Sequence, residues 1–140
     1  TPVPATPQTF ALLACAGLLG RAYALQMVAW YVAIGIAGAP FFTGGGGTDA
    51  LFGATGGYIA GFFLASAIVG YLSSSCGSLA SKASLYAAAA LTLYVPGLLW
   101  LKCSTGAEWS AVFSMGLAPF VVFDLVKASA AASINRLFKR

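Results

Sequence analysis

Residues 84–101 read SLYAAAALTLYVPGLLWL, eighteen positions without a charged side chain. As a helix rising 1.5 Å per residue, that stretch covers ~27 Å, close to the ~30 Å hydrocarbon core of a bilayer. Working outward, comparable apolar runs occupy residues 57–72 upstream and 111–134 downstream, with two more at 8–20 and 23–38. The run at 8–20 reaches only ~20 Å and is expected to borrow length from its flanks or to stop short of one interface. Backbone N–H and C=O groups need internal partners in lipid, so each run is read as helix. No period-two alternation suggests a barrel. The expectation is an all-α, polytopic transmembrane helix bundle with five spans, forming one membrane-embedded domain over residues 1–140.

Composition supports this reading. Of 140 residues, 60% are hydrophobic, seven are Lys or Arg and three are Asp or Glu. The charged share of 7% compares with ~25% in soluble domains and is too small to cover a soluble surface. Histidine is absent, which removes His-based metal sites and Ser-His-Asp or Cys-His catalysis. Cys15, Cys76 and Cys103 are far apart with no CxxC spacing, so neither a zinc site nor a disulfide framework is expected. A net charge of +4 would suggest nucleic acid in a soluble protein. Here the basic residues sit at the ends of apolar runs, and the partner they imply is the lipid bilayer.

Those charges also orient the spans. Arg21, Lys82 and the trio Arg136, Lys139 and Arg140 fall in alternate connections, whereas the loop at residues 39–56 holds only Asp49. Positive residues favour the inside, placing the C-terminus in the cytoplasm and the glycine-rich loop outside. Thr1 then lies outside, ahead of the helix-refusing start Thr1-Pro2-Val3-Pro4-Ala5-Thr6-Pro7. Either an upstream helix precedes this start in a six-helix parent, which is the favoured reading, or the protein has five spans. Gly53, Gly57 and Gly61 make two GxxxG steps, and residues 128–133 form a second small-residue face. Both suit close helix packing within the bundle, or docking of a membrane partner. Pro96 and Pro119 fall inside runs and are expected to kink them. Trp30, Tyr31, Trp100 and Trp109 read as interfacial anchors.

Two features can carry chemistry. Asp124 and Lys127 lie inside the last run, three residues apart and so on one helical face. Each ionisable group at mid-membrane costs ~2.5–3.5 kcal/mol on an insertion scale, and such groups usually face a cavity. A carboxylate beside an ammonium suits a neutral polar group with adjacent N–H and C=O, or a substrate carboxylate near Lys127. The plain alternative is a self-neutralising pair, or a lysine that snorkels to the interface. The second feature is the outer loop, with Phe41, Phe42 and Phe52 interleaved among Thr43, Gly44, Gly45, Gly46 and Gly47, and ending at Thr55, Gly56, Gly57 and Tyr58. Its formal GxGxxA match at Gly45, Gly47 and Ala50 has no preceding strand and carries no weight. The loop is either a flexible connector or a lid in which Phe side chains cover a ligand and glycines admit its approach.

These residues also carry a family resemblance. Val3-Pro4-Ala5-Thr6-Pro7-Gln8-Thr9, the segment from Gly38-Ala39-Pro40-Phe41-Phe42-Thr43-Gly44-Gly45 through Gly53-Ala54-Thr55-Gly56-Gly57-Tyr58-Ile59-Ala60-Gly61-Phe62, and Pro119-Phe120 followed by Asp124-Leu125-Val126-Lys127 resemble, in order, the motifs of the BioY family. These are the biotin-binding S-components of energy-coupling factor (ECF) transporters. The resemblance implies a six-helix fold whose first helix, which faces the coupling subunit, precedes this sequence. It implies capture of biotin from outside, without a cofactor. Asp124 would accept from ureido N–H groups, and Lys127 would donate to the ureido oxygen or to the valerate carboxylate. Thr43, Gly44, Gly45 and Gly46, with Thr55, Gly56, Gly57 and Tyr58, would close the outer side. It further implies a membrane coupling subunit and two cytoplasmic ATPases as partners, in the plasma membrane. Ala54 stands where the family usually has Pro, and Val122-Phe123 where it has Pro-Gly, so the loop is expected to be less rigid and the aim of Asp124 shifted. The rivals are an S-component for another vitamin, such as thiamin or riboflavin, and a non-transporting membrane scaffold. A membrane enzyme is a distant third, since no nucleophile–base pair or metal cluster is visible.

Overall fold

The computed structural model describes residues 6–138, and among them every regular element is helical. The helices are α1 (Gln8–Leu19), α2 (Ala24–Ile36), the single turn α3 (Thr48–Leu51), α4 (Gly56–Leu72), α5 (Leu79–Thr92), α6 (Tyr94–Thr105), α7 (Trp109–Gly116) and α8 (Val121–Phe138). A 3-10 turn at Ser73–Ser75 prolongs α4 to twenty residues, and α5 with α6 makes an apolar stretch of 27. Both are long and apolar enough to cross a membrane, and α7 with α8 forms a third candidate bent by 40°. In the first two apolar runs, α1 and α2 have only 12 and 13 residues, or ~18–20 Å of helix. The part of the proline-rich start at residues 1–5, together with Lys139 and Arg140, lies outside the described residues.

Two prolines break two helices. Pro96 has no N–H to give Thr92 and its ring crowds that carbonyl, which interrupts the α-helical hydrogen bonding at Leu93, between α5 and α6, while Leu93 itself keeps helical φ and ψ of −60° and −35°. Pro119 sits in the turn at residues 117–120 that separates α7 from α8. The run at 111–134 is therefore two helices, and Asp124 falls in the first turn of α8 rather than deep within a continuous span. A carboxylate is favoured there by the helix dipole, typically by ~0.3–1 kcal/mol.

Small residues set the packing. Among the fully buried positions of the core are Leu13, Val28, Val69, Ala128, Ala131 and Ala132, and the alanine face of α8 packs against α1 and α5. Gly61 lies so close to the junction of α5 and α6 that a Cβ there would stand 2.8 Å from the Leu93 Cα, and Gly57 abuts the Pro96 carbonyl of α6. These two glycines form an internal helix contact, whereas Gly53 precedes α4 and accepts the Trp100 indole N–H at 2.8 Å. Gly57 and Gly61, with Ala128, Ala131 and Ala132, thus serve the bundle itself, while Ser129, Ala130 and Ser133 are exposed.

A polar cluster joins α5, α8 and the 3-10 turn. Lys82, expected in a connection, is buried in the first turn of α5, and its ammonium donates to Asn135 Oδ1 at 3.1 Å. Ser73 Oγ reaches the same oxygen at 3.5 Å and the Tyr86 hydroxyl at 3.3 Å. Gly17 of α1 backs this cluster, and a Cβ there would collide with the Tyr86 hydroxyl and stand 2.5 Å from Asn135 Nδ2. Gly17→Ala is accordingly expected to destabilise the fold by ~1–3 kcal/mol through overpacking, read as a lowered unfolding midpoint in detergent. Adding Tyr86→Phe, which removes the clashing oxygen, should recover part of the loss; an unchanged midpoint for the single variant would contradict the packing described.

Candidate functional site

A cavity with about 620 Å³ of empty space, its open mouth included, lies where both helix breaks meet the outer loop. Discontinuous helices are a recurring way to build such sites in transporters, because the break frees polar groups to face a ligand. The Pro96 break supplies Leu93 and Tyr94, and the Pro119 break supplies Phe120 and Asp124.

The polar centre is a three-residue array. Tyr94 donates to Asp124 Oδ2 at 2.6 Å, a short charge-assisted bond, and Lys127 approaches Oδ1 at 3.2 Å. Lys127 also donates to the Thr6 carbonyl at 2.8 Å. Pro7 precedes α1 and leaves Thr6 outside the helix, so that carbonyl is free to accept. An ammonium has three N–H bonds; two are used, and one remains for the cavity. Each carboxylate oxygen likewise keeps an unused lone pair. The array therefore offers two acceptor positions beside one cationic donor.

Around it the walls are aromatic and the roof is the loop. Tyr31 of α2 lines the cavity with Phe42, and its ring meets those of Phe42 and Phe62 edge-on, at 5.7 and 5.9 Å between centroids. The Tyr31 ring stacks on Phe41 at 5.8 Å, and its hydroxyl donates to the Phe41 carbonyl at 3.0 Å. Gln8 Nε2 donates to the same carbonyl at 2.6 Å. Two donors on one carbonyl clamp the loop over α1 and α2. The loop itself is folded: Phe42 and Gly45 form a β-bridge, and the Gly47 N–H donates to the Gly35 carbonyl at 2.8 Å. Gly44, Gly45 and Gly47 have φ of 93°, 121° and 94°, backbone that side-chain-bearing residues rarely adopt.

Of the residues singled out from sequence, Asp124, Lys127, Thr43, Thr55 and Tyr58 line one cavity. Gly44, Gly45, Gly46, Gly56 and Gly57 are not among its lining residues. Gly46 packs on the backbone of Gly38 and Ala39, Gly56 against Leu51 and Trp100, and Gly57 against α6. These glycines shape the loop and its seat rather than the cavity surface. Sequence reading did not single out Tyr94, Tyr31 or Gln8 as site residues. A tyrosine two positions before Pro96, in a run with no charge, was the available signal for Tyr94. Of the four aromatic residues read as interfacial anchors, Tyr31 is drawn to the cavity and Trp100 to the Gly53 carbonyl, while Trp30 and Trp109 remain exposed. Among the described residues no cluster suited to a metal ion is present.

Comparison with known proteins agrees with this geometry. The sequence is 36% identical to the biotin transporter BioY of Thermotoga maritima, over 99% of this chain and 82% of the relative. It is 34% identical to the probable biotin transporter BioY of Lysinibacillus sphaericus, over 98% and 74%. It is 32% identical to the biotin transporter BioY2 of Lactococcus lactis subsp. cremoris, over 90% and 70%. The fold matches the crystal structure of the S-component for biotin from an ECF-type ABC transporter with a TM-score of 0.85, covering 99% of this chain and 77% of that one at 24% identity. With residues 1–140 matching the family throughout, this chain belongs to the BioY family.

Proposed function

We propose that the protein is the substrate-capture (S) component of a vitamin transporter and binds biotin in the cavity at Asp124. The observation that carries the proposal is the Tyr94–Asp124–Lys127 array beneath a clamped aromatic loop. Biotin's ureido ring presents two N–H donors and one carbonyl, joined to an apolar thioether ring and an aliphatic chain ending in a carboxylate. Asp124 accepts from the ureido N–H groups, while the remaining N–H of Lys127 serves the ureido oxygen or the terminal carboxylate. Tyr31, Phe62 and Tyr58 cover the apolar part. Thr43 and Thr55 sit at the rim, and the backbone of Gly44, Gly45, Gly46, Gly56 and Gly57 holds the lid that closes the outer side. No cofactor enters this scheme, since nothing is bonded or cleaved.

The names of the relatives support biotin as the ligand. The S-component title of the structural match suggests the wider assembly: a membrane coupling subunit and two cytoplasmic ATPases that supply energy. Arg21 after α1 and the basic residues at the end of α8 favour a multi-pass protein of the plasma membrane, with the cavity opening outward and the C-terminus cytoplasmic. The test is equilibrium binding by the purified protein in lipid nanodiscs, with radiolabelled biotin, thiamin and riboflavin each competed by its own unlabelled form. Displaceable binding of biotin alone is the expected result. Binding of thiamin or riboflavin in its place would transfer the protein to another vitamin, and no binding of any of the three would leave Asp124 and Lys127 as a helix-pairing device.

A further inference from the structure

The turn at residues 117–120 leaves the Gly116 carbonyl without its helical partner, and a distant tyrosine takes it. In an unbroken helix the Gly116 carbonyl would receive the N–H of Phe120. Here the N–H groups of both Phe120 and Val121 donate to the Leu117 carbonyl at 3.0 Å. The Gly116 carbonyl instead accepts the Tyr58 hydroxyl, at 2.8 Å, across from α4. The Tyr58 ring fits a slot that two glycines leave open. A Cβ on Gly97 would stand 2.5–2.8 Å from ring carbons, and one on Gly116 2.6 Å from the hydroxyl oxygen. The same ring meets Tyr94 edge-on at 6.2 Å, and Tyr94 holds Asp124 Oδ2.

We infer that Tyr58 is a positioning residue whose hydroxyl fixes where α7 ends and α8 begins, and thereby aims Asp124 into the cavity. This rests on the biotin reading above for its functional consequence, but not for its structural one. Asp124 lies only four residues beyond Phe120, whose carbonyl accepts its N–H at 2.8 Å, so any shift of the 117–120 turn is passed directly to the carboxylate. The ring of Tyr58 lines the cavity, whereas its hydroxyl is engaged by the break. A residue that only filled space would be replaced by phenylalanine without effect, because the slot for the ring would be unchanged.

The experiment uses Tyr58→Phe in nanodiscs, with carbonyl-labelled glycine and side-chain-labelled aspartate observed by solid-state NMR. The Gly116 carbonyl resonance should move upfield as its hydrogen bond is lost, and the Asp124 carboxyl resonance should move with it, in the absence of any ligand. Biotin affinity should fall about tenfold, the size expected for one buried hydrogen bond. In an Asp124→Asn background the same substitution should cost nothing more, because the group it aims is already impaired. Unmoved resonances would overturn the inference, as would a tenfold loss that persists in full beside Asp124→Asn, which would put the hydroxyl on the ligand itself. Should Tyr58→Phe not fold, Gly97→Ala displaces the same ring and is read by the same signals. If the wild-type protein binds no biotin, the proposed function fails while the two apo resonances still decide the role of Tyr58.

Discussion

Asp124→Ala is expected to lower biotin affinity by at least ~10²-fold, since charge-assisted hydrogen bonds contribute ~1.5–3 kcal/mol each and two ureido N–H groups would lose their acceptor. The variant also strands its neighbours. Tyr94 loses the acceptor it holds at 2.6 Å, and Lys127 loses its carboxylate at 3.2 Å, keeping only the Thr6 carbonyl. Removing one partner of a buried ion pair typically costs ~3–5 kcal/mol, most of it the penalty on the charge left behind. The Lys127 side chain is 24% exposed, so the low end of that range applies. The double variant Asp124→Ala/Lys127→Ala should therefore unfold at a higher temperature than Asp124→Ala alone, while binding no better. Asp124→Asn, which keeps the shape and one acceptor, should fall between wild type and alanine in affinity. These variants separate a ligand site from a helix-pairing device. A pairing device would show the stability pattern with biotin binding untouched, and that result would remove Asp124 from the site.

The part of this arrangement legible from sequence is the part that violates a simple rule. Ten charges in 140 residues make the membrane class plain, and a carboxylate and an ammonium inside an apolar run draw notice because lipid penalises them. The glycine loop is visible because few other residues adopt its backbone. What remained hidden obeys the rules. Tyr31 looks like a lipid anchor and Tyr94 is one more aromatic residue in an apolar run, and only the fold turns them toward Phe41 and Asp124. The prolines announce breaks, but not that two breaks face each other across one cavity. Lys82 looks like an inside-facing charge and is instead buried on Asn135, a partner 53 residues away that no local pattern connects to it. Gly46, Gly56 and Gly57 share a motif with the cavity residues because the loop needs them to seat. Motif membership thus mixes residues that would touch a ligand with residues that hold those in place.

The seat of the loop makes the second large prediction. Phe42 is 5% exposed and packs on Gly35 in the last turn of α2, where a Cβ would stand 2.7 Å from two ring carbons and closer still to a third. The ring cannot stay where it is if Gly35 becomes alanine. Moving inward, it fills the cavity it now borders; moving outward, it lifts Thr43 and breaks the bridge between Phe42 and Gly45. The outward path is favoured, because inward motion drives the ring toward Tyr31 and Phe62, whereas the outer loop borders open space at Gly44, Gly45 and Gly47. Overpacking of this kind costs ~1–3 kcal/mol, so Gly35→Ala is expected to weaken biotin binding by ~10–100-fold. The loss should appear mainly as faster dissociation, since a lifted lid lets ligand out while Tyr94, Asp124 and Lys127 stay in place. Gly35→Ala combined with Phe42→Leu, which shortens the offending ring, should regain part of the residence time. A Gly35→Ala protein that releases biotin at the wild-type rate would show that the loop does not act as a lid, and a loss confined to association would mean that the ring had entered the cavity.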